Sequence, residues 1–168
     1  MEHRRRFFAL YLRNFIFGVE DSLVSTVGLL TGVAVAGVPR ATILLTGIIL
    51  IFVEAFSMAA GSFLSEDSVE EYIKRKNVSA RGPFAAGAVM FLSYFFSGFA
   101  ILFPYMIFPV NRALWVSIVL SLAFLYILGI FGAKVAGVPL NRRGLRALFI
   151  GGTAIGIGIL VAQISFLF

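Results

Sequence analysis

Five apolar stretches, each as long as a bilayer is thick, dominate this chain and dictate what it can become. They run over 15–37, 41–64, 84–109, 112–132 and 145–168. A helix needs roughly 20 apolar residues to cross a membrane, so five spans consume nearly all of the 168 residues. Only 13% of the chain is charged against 60% hydrophobic, far from the roughly 25% charge of a soluble domain. Such a composition cannot cover a water-facing surface, and it predicts an all-α integral membrane protein forming one transmembrane domain over 1–168. Soluble enzymes, disordered tails and nucleic-acid binders are set aside. The absence of cysteine excludes disulfides and thiolate sites, and the single histidine, His3, excludes multi-His zinc sites and a His-based triad.

Glycine and proline punctuate the gaps, at Gly37-Val38-Pro39-Arg40, Arg81-Gly82-Pro83, Pro109-Val110-Asn111-Arg112 and Gly137-Val138-Pro139. The octets Gly32–Pro39 and Gly132–Pro139 are near-copies, read as one helix-stop device used twice. Ahead of span one, Arg4-Arg5-Arg6 opens a basic amphipathic segment (4–12) expected to lie on the membrane surface. Arg13 and the Glu20-Asp21 pair interrupt the following apolar run, which argues against a cleaved signal peptide.

The charge distribution orients the chain. Of its fourteen Lys and Arg residues, all but Arg40 and Arg112 precede span one or fall in the loops 2–3 and 4–5. Positive loops stay cytoplasmic, so the N-terminus is expected inside and the C-terminus outside. The sequon Asn77-Val78-Ser79 is then cytoplasmic and silent. Tyr11, Tyr105 and Trp115 are expected as interface anchors, Pro104 as a kink in span three, and Gly152 with Gly156 as a packing motif in span five.

All eight acids lie within the first 71 residues, so a cation site must come from spans one and two and the segment just after them; spans three to five read as scaffold. Glu20 and Asp21 fall in span one and Glu54 in span two. A charge at mid-membrane costs about 2.5–3.5 kcal/mol on insertion scales, so such residues usually face protein or a wet path; the alternative is that Glu20 and Asp21 sit at headgroup level. Asn14, Gly18, Asp21, Ser25, Gly28 and Gly32 recur at helical spacing and give span one a small, polar face. Gly18, Gly28 and Gly32 suit a close helix–helix or dimer seam, and the carboxylate suggests a path along it, between two copies of span one. On span two Glu54, Met58 and Gly61 share a face. Counting about 1.5 Å per residue from the span ends puts Asp21 and Met58 level, about 9 Å deep, with Glu54 one turn deeper. Carboxylate oxygen with thioether sulfur suits Fe²⁺ or Mn²⁺ better than Mg²⁺ or Ca²⁺.

Past span two, 65–77 reads as a short cytoplasmic helix rich in both signs of charge. Glu66, Asp67, Glu70 and Glu71 either decorate a solvated helix, with Glu70–Lys74 and Glu71–Arg75 pairs, or draw cations to the mouth of the path.

The stretch Arg13–Gly32, with GVEDSLVS at Gly18–Ser25, and the second-span SMAAG at Ser57–Gly61 resemble the vacuolar iron transporter family. The resemblance implies a homodimer that exports Fe²⁺ or Mn²⁺ from the cytosol in exchange for protons, with Asp21 and Met58 at positions associated with the metal path. The chain departs from the family at several points. Ser22 replaces a glycine, Asn14 and Ser62 stand where relatives often carry acids, and Glu54 replaces a small residue. The acid found nearer the outer end of span two in eukaryotic members falls near Leu50, and Glu54 is read as its substitute one turn away. Only about twenty residues separate spans two and three, so the cytoplasmic metal-binding domain of the eukaryotic members is absent. The chain is thus expected to be a short prokaryotic-type transporter, of the plasma membrane if its source is prokaryotic, with Asp21, Glu54, Met58, Glu20 and Ser25 along the path, protons and divalent transition-metal ions as substrates, and no resident cofactor. Two other readings remain at this stage, a non-transporting membrane dimer and a proton-coupled exporter of small organic cations.

Overall fold

In the computed structural model, which describes residues 2–75, 79–137 and 139–165 and the side chains of 8–75, 79–137, 139 and 143–164, the chain is all helix. Lys76, the sequon positions Asn77 and Val78, and Val138 lie outside these residues, as do the side chains of His3, Arg4, Arg5, Arg6 and Arg142. The helices are α1 (Glu2–Val35), α2 (Arg40–Lys74), α3 (Arg81–Ile107), α4 (Val110–Ala136) and α5 (Leu140–Ser165). All five are long and apolar enough to cross a membrane. The protein is a multi-pass integral membrane protein.

The turns follow the punctuation. α1 and α4 end at Gly37 and Gly137, both in the left-handed region at φ 73° and 66°, where glycine alone escapes a Cβ clash. The duplicated octets therefore do the same work twice. Pro39 and Pro109 then cap α2 and α4, their carbonyls accepting the first helical N–H groups. At α3 one boundary differs from expectation. Gly82 and Pro83 lie in the first turn of α3 rather than in a gap, a place where proline sacrifices no helical hydrogen bond. Pro104 sits buried inside α3, which runs on to Ile107.

The segment 4–12 is not a separate surface helix. It is the start of α1, which runs unbroken for 34 residues because neither glycine nor proline interrupts it before Gly18. Likewise 65–74 is the far end of the 35-residue α2, which stops at Arg75 in the left-handed region, φ 51°. At about 1.5 Å per residue, α1 and α2 each span about 50 Å, beyond the roughly 30 Å hydrocarbon layer. Short turns make successive helices antiparallel, so both extensions project at one end, here termed the basic end.

α1 is the central helix, in contact with all four others. Leu23, Val27, Leu30 and Ala34 place its apolar stripe in a core shared with Ile43, Ile51, Ile101, Leu102, Leu125 and Ile155. Its Asn14, Ser22, Thr26 and Thr31 are buried as well. Of the most apolar stretch of each helix, 39% is buried in α1 and 44% in α3, against 22% in the other three. The physical reason is solvation: α1 carries the most polar groups of any span, and surrounding it with four helices keeps them out of lipid. Large apolar side chains such as Phe56, Phe149 and Trp115 are exposed, as lipid-facing residues are. Tyr105 departs from expectation. It is fully buried rather than an interface anchor, and its carbonyl, with that of Met106, accepts the Arg40 guanidinium. Arg40 thereby ties the start of α2 to the end of α3, whose last carbonyls have no helical partner.

Small residues close the seam between α1 and α5. A Cβ on Gly158 would lie 2.2 Å from the Gly28 carbonyl oxygen, and one on Gly32 would lie 2.8 Å from that of Gly158. The expected motif at Gly152 and Gly156 plays no such part, since both face open space.

Candidate functional site

The candidate face is built from the antiparallel pair α1 and α2, with α3 behind it. Two contacts set the register, and the electrostatics deeper in agree with it. At the basic end Arg13 forms an ion pair with Glu66. One turn inward, Ser62 Oγ donates to Asn14 Oδ1 at 2.9 Å. Deeper still, Asp21 and Glu54 come close enough for their charges to act on each other. Asp21 is therefore level with Glu54, and Met58 lies about one turn nearer the basic end, level with Gly18. The sequence-based depths are corrected by that turn. Counting from 15 and 64 treated both as membrane edges, whereas both helices run on past them.

Asn14 and Ser62 are two of the departures from the family pattern, both at positions often acidic in relatives. In space they are partners. The Asn14 amide also donates to the Leu10 carbonyl at 3.1 Å, so a neutral, internally satisfied pair stands where two carboxylates would face each other.

Between α1 and α2 opens a cavity of about 720 Å³. Arg13, Asn14, Phe17 and Glu20 line it from α1, Ser57, Met58, Gly61, Ser62 and Ser65 from α2, and Met90 from α3. Glu20, Met58 and the serines thus share one space. Asp21 and Glu54 are not in its lining; they lie just beyond its inner end, each part-buried. The expected convergence of Asp21, Met58 and Glu54 on a single cleft is accordingly split. Glu20 and Met58 occupy the cleft, and the two deeper acids sit behind it.

Those deeper acids adjoin a polar knot between α1 and α3. Tyr94, fully buried, lies within electrostatic reach of both Asp21 and Glu54. Its hydroxyl is 2.7 Å from Ser25 Oγ, and its carbonyl accepts Ser22 Oγ at 2.7 Å. Spans three to five are therefore more than scaffold, because α3 supplies Tyr94 to the acids and Met90 to the cavity. A visible signal was the run Ser93-Tyr94 with Ser97, polar groups in an otherwise apolar span.

A second groove, about 490 Å³, runs along α1 past this knot. It is bounded by Val24, Ser25, Gly28, Leu29 and Gly32 and by Ala154, Ile157, Gly158 and Val161 of α5. The two openings follow one another along α1, with Asp21 between them. Gly28 and Gly32 pack against α5 within the chain and also border this groove. Gly18 is used against α3, where a Cβ would meet Ser93 Oγ at 2.1 Å.

The acidic segment is partly neutralised. Glu66 pairs with Arg13, and Glu70 accepts from Lys74 Nζ at 2.6 Å. The expected Glu71–Arg75 pair does not form, because Arg75 leaves the helix and caps it, its N–H on the Glu71 carbonyl at 2.8 Å. Among the described residues no three acids or histidines gather as a ready metal site. A cation here would draw on thioether, hydroxyl or amide groups beside one or two carboxylates.

The family model described as the VIT family matches the chain over residues 12–81 and 70–163. No curated protein matches it.

Proposed function

The chain belongs to the VIT family, a family of membrane transporters, and from that premise we propose that it exports Fe²⁺ or Mn²⁺ from the cytosol in exchange for protons. The observation that carries this reading is the acid-and-thioether face of α1 and α2. Glu20 and Met58 share a cavity open toward the basic end, and Asp21 with Glu54 waits immediately behind. With the basic end cytoplasmic, as its Lys and Arg content favours, the cavity is the cytosolic vestibule. A divalent cation is drawn in by Glu20 and held softly by Met58. It then passes to Asp21 and Glu54, the two carboxylates within the spans on which cation and proton are exchanged.

The groove beyond Asp21 offers a cation no charged ligand and only the Ser25 hydroxyl, already paired with Tyr94, which makes Asp21 the inner limit of this conformation. We assign the open flank of α1 to contact with a second copy, forming a homodimer whose paths run along the α1–α2 faces.

The test is proton movement in liposomes driven by Fe²⁺, Mn²⁺, Co²⁺, Zn²⁺ and Mg²⁺ in parallel. Fe²⁺ or Mn²⁺ should drive counter-movement of protons and Mg²⁺ should not. Asp21→Asn and Glu54→Gln should each abolish it. Full flux in both variants would overturn the mechanism.

A further inference from the structure

The cavity between α1 and α2 is lined by a pair of thioethers. Two of the chain's four methionines, Met58 from α2 and Met90 from α3, line the same space. Met90 is only 3% exposed, and its position is defined by its neighbour. Its Sδ lies 3.1 Å from where a Cβ on Gly18 would stand. The glycine leaves room for the sulfur against the polar face of α1, one turn from Asp21.

The remaining donors in the cavity are mostly committed. The Asn14 carboxamide oxygen accepts from Ser62 and its amide donates to Leu10. Arg13 is neutralised by Glu66. Glu20 makes no ion pair among the described residues, so its carboxylate, the two thioethers and the neutral hydroxyls of Ser57 and Ser65 are the uncommitted ligands, and Glu20 alone among them carries charge. Two neutral sulfurs with one negative oxygen balance a single positive charge. A divalent ion held by the same three groups keeps a net charge of one unit in a low-dielectric site, which is costly unless a second acid joins. Thioether ligands also select soft ions, Cu(I) foremost, over hard ones.

We propose that this cavity is a binding site for soft monovalent cations, Cu(I) and its redox-inert analogue Ag(I), with Met58 and Met90 as sulfur ligands and Glu20 as the balancing carboxylate. The proposal rests on reading the cavity as a cation vestibule and extends it to a second substrate class. Coordination is its only chemistry, with no electron transferred.

The test is equilibrium binding of Ag⁺ alone to the purified full-length chain, followed by competition with Mn²⁺. A chain without cysteine and with one histidine gives little competing soft-ligand background. Leucine at either methionine keeps volume and apolarity, so Met58→Leu and Met90→Leu remove sulfur with little else. Each should weaken Ag⁺ binding by about tenfold or more, and Met90→Leu, at a residue with no part in the divalent path, should change Mn²⁺ binding by less than about threefold. Glu20→Gln should weaken both ions. Met58 is part-exposed where Met90 is buried, so its variant reads the sulfur even should Met90→Leu fail to fold. Ag⁺ binding unchanged in Met58→Leu, or weakened no more than Mn²⁺ binding, would overturn the proposal. Metal-driven proton flux with thioether-independent Ag⁺ binding would refute this inference and leave the transport reading standing. Thioether-dependent Ag⁺ binding without any metal-driven flux would do the reverse.

Discussion

Tyr94 of α3 and Ser25 of α1 join their hydroxyls at 2.7 Å, one helical turn along α1 from Asp21. This contact lies where the polar cavity ends and the apolar groove begins, so α3 holds the face of α1 on which the deeper acids depend.

Tyr94→Phe keeps the ring and removes the hydroxyl. Losing one hydrogen bond should cost about 1 kcal/mol of stability, measurable as a modest fall in denaturation midpoint in detergent. Metal-driven proton flux should drop several-fold while metal binding in the outer cavity stays within about twofold, because the change lies beyond that cavity. Wild-type flux in a folded Tyr94→Phe protein would show that the contact only packs.

The α1–α5 seam makes a contrast between glycines. Gly158→Val should prevent stable folding, since its Cβ would stand 2.2 Å from the Gly28 carbonyl oxygen. Gly152→Ala and Gly156→Ala, whose added Cβ atoms meet nothing within 4 Å, should shift stability by no more than about 0.5 kcal/mol either way. Thermal unfolding followed by size-exclusion chromatography distinguishes the two classes.

Arg13 and Glu66 guard the mouth of the cavity. Arg13→Gln uncovers the Glu66 charge and should lower the apparent KM for a divalent cation about two- to threefold in low salt, while Glu66→Gln should raise it. Both effects should vanish near 1 M salt, where the screening length is about 3 Å. Initial flux rates across a salt series provide the measurement, and salt-independent differences would point to structural damage instead.

Orientation can be read directly, because the chain contains no cysteine. Single cysteines replacing Lys74 and Arg112 should react with an impermeant thiol reagent from opposite sides in intact cells. Arg112→Cys should label from outside, and Lys74→Cys only after permeabilisation. The reverse pattern would invert the topology.

Much of the candidate site could be read from residue types in order. Asp21, Glu20 and Glu54 stood out because a carboxylate in an apolar span demands an explanation, and the acids are confined to the first 71 residues. Met58 followed from its helical spacing to Glu54. Met90 and Tyr94 did not stand out, because methionine and tyrosine are ordinary in an apolar helix until a neighbour brings them to a carboxylate. The small-residue spacing announced close approach without naming the partner. Gly28 and Gly32 met α5, Gly18 met α3, and the more conspicuous Gly152 and Gly156 met nothing.

The number of spans, their turns at Gly37, Pro39, Pro109 and Gly137, the basic end and the acidic half were all determined by the order of residues. These properties depend on local hydrophobicity, backbone freedom and charge, which each segment carries with it. Which helix stands at the centre, how far α1 slides along α2, and which side chain faces the cavity rather than the knot behind it were decided only by tertiary packing. A slide of one helical turn, about 5.4 Å, leaves every local property intact and yet replaces Asp21 opposite Met58 with Asp21 opposite Glu54.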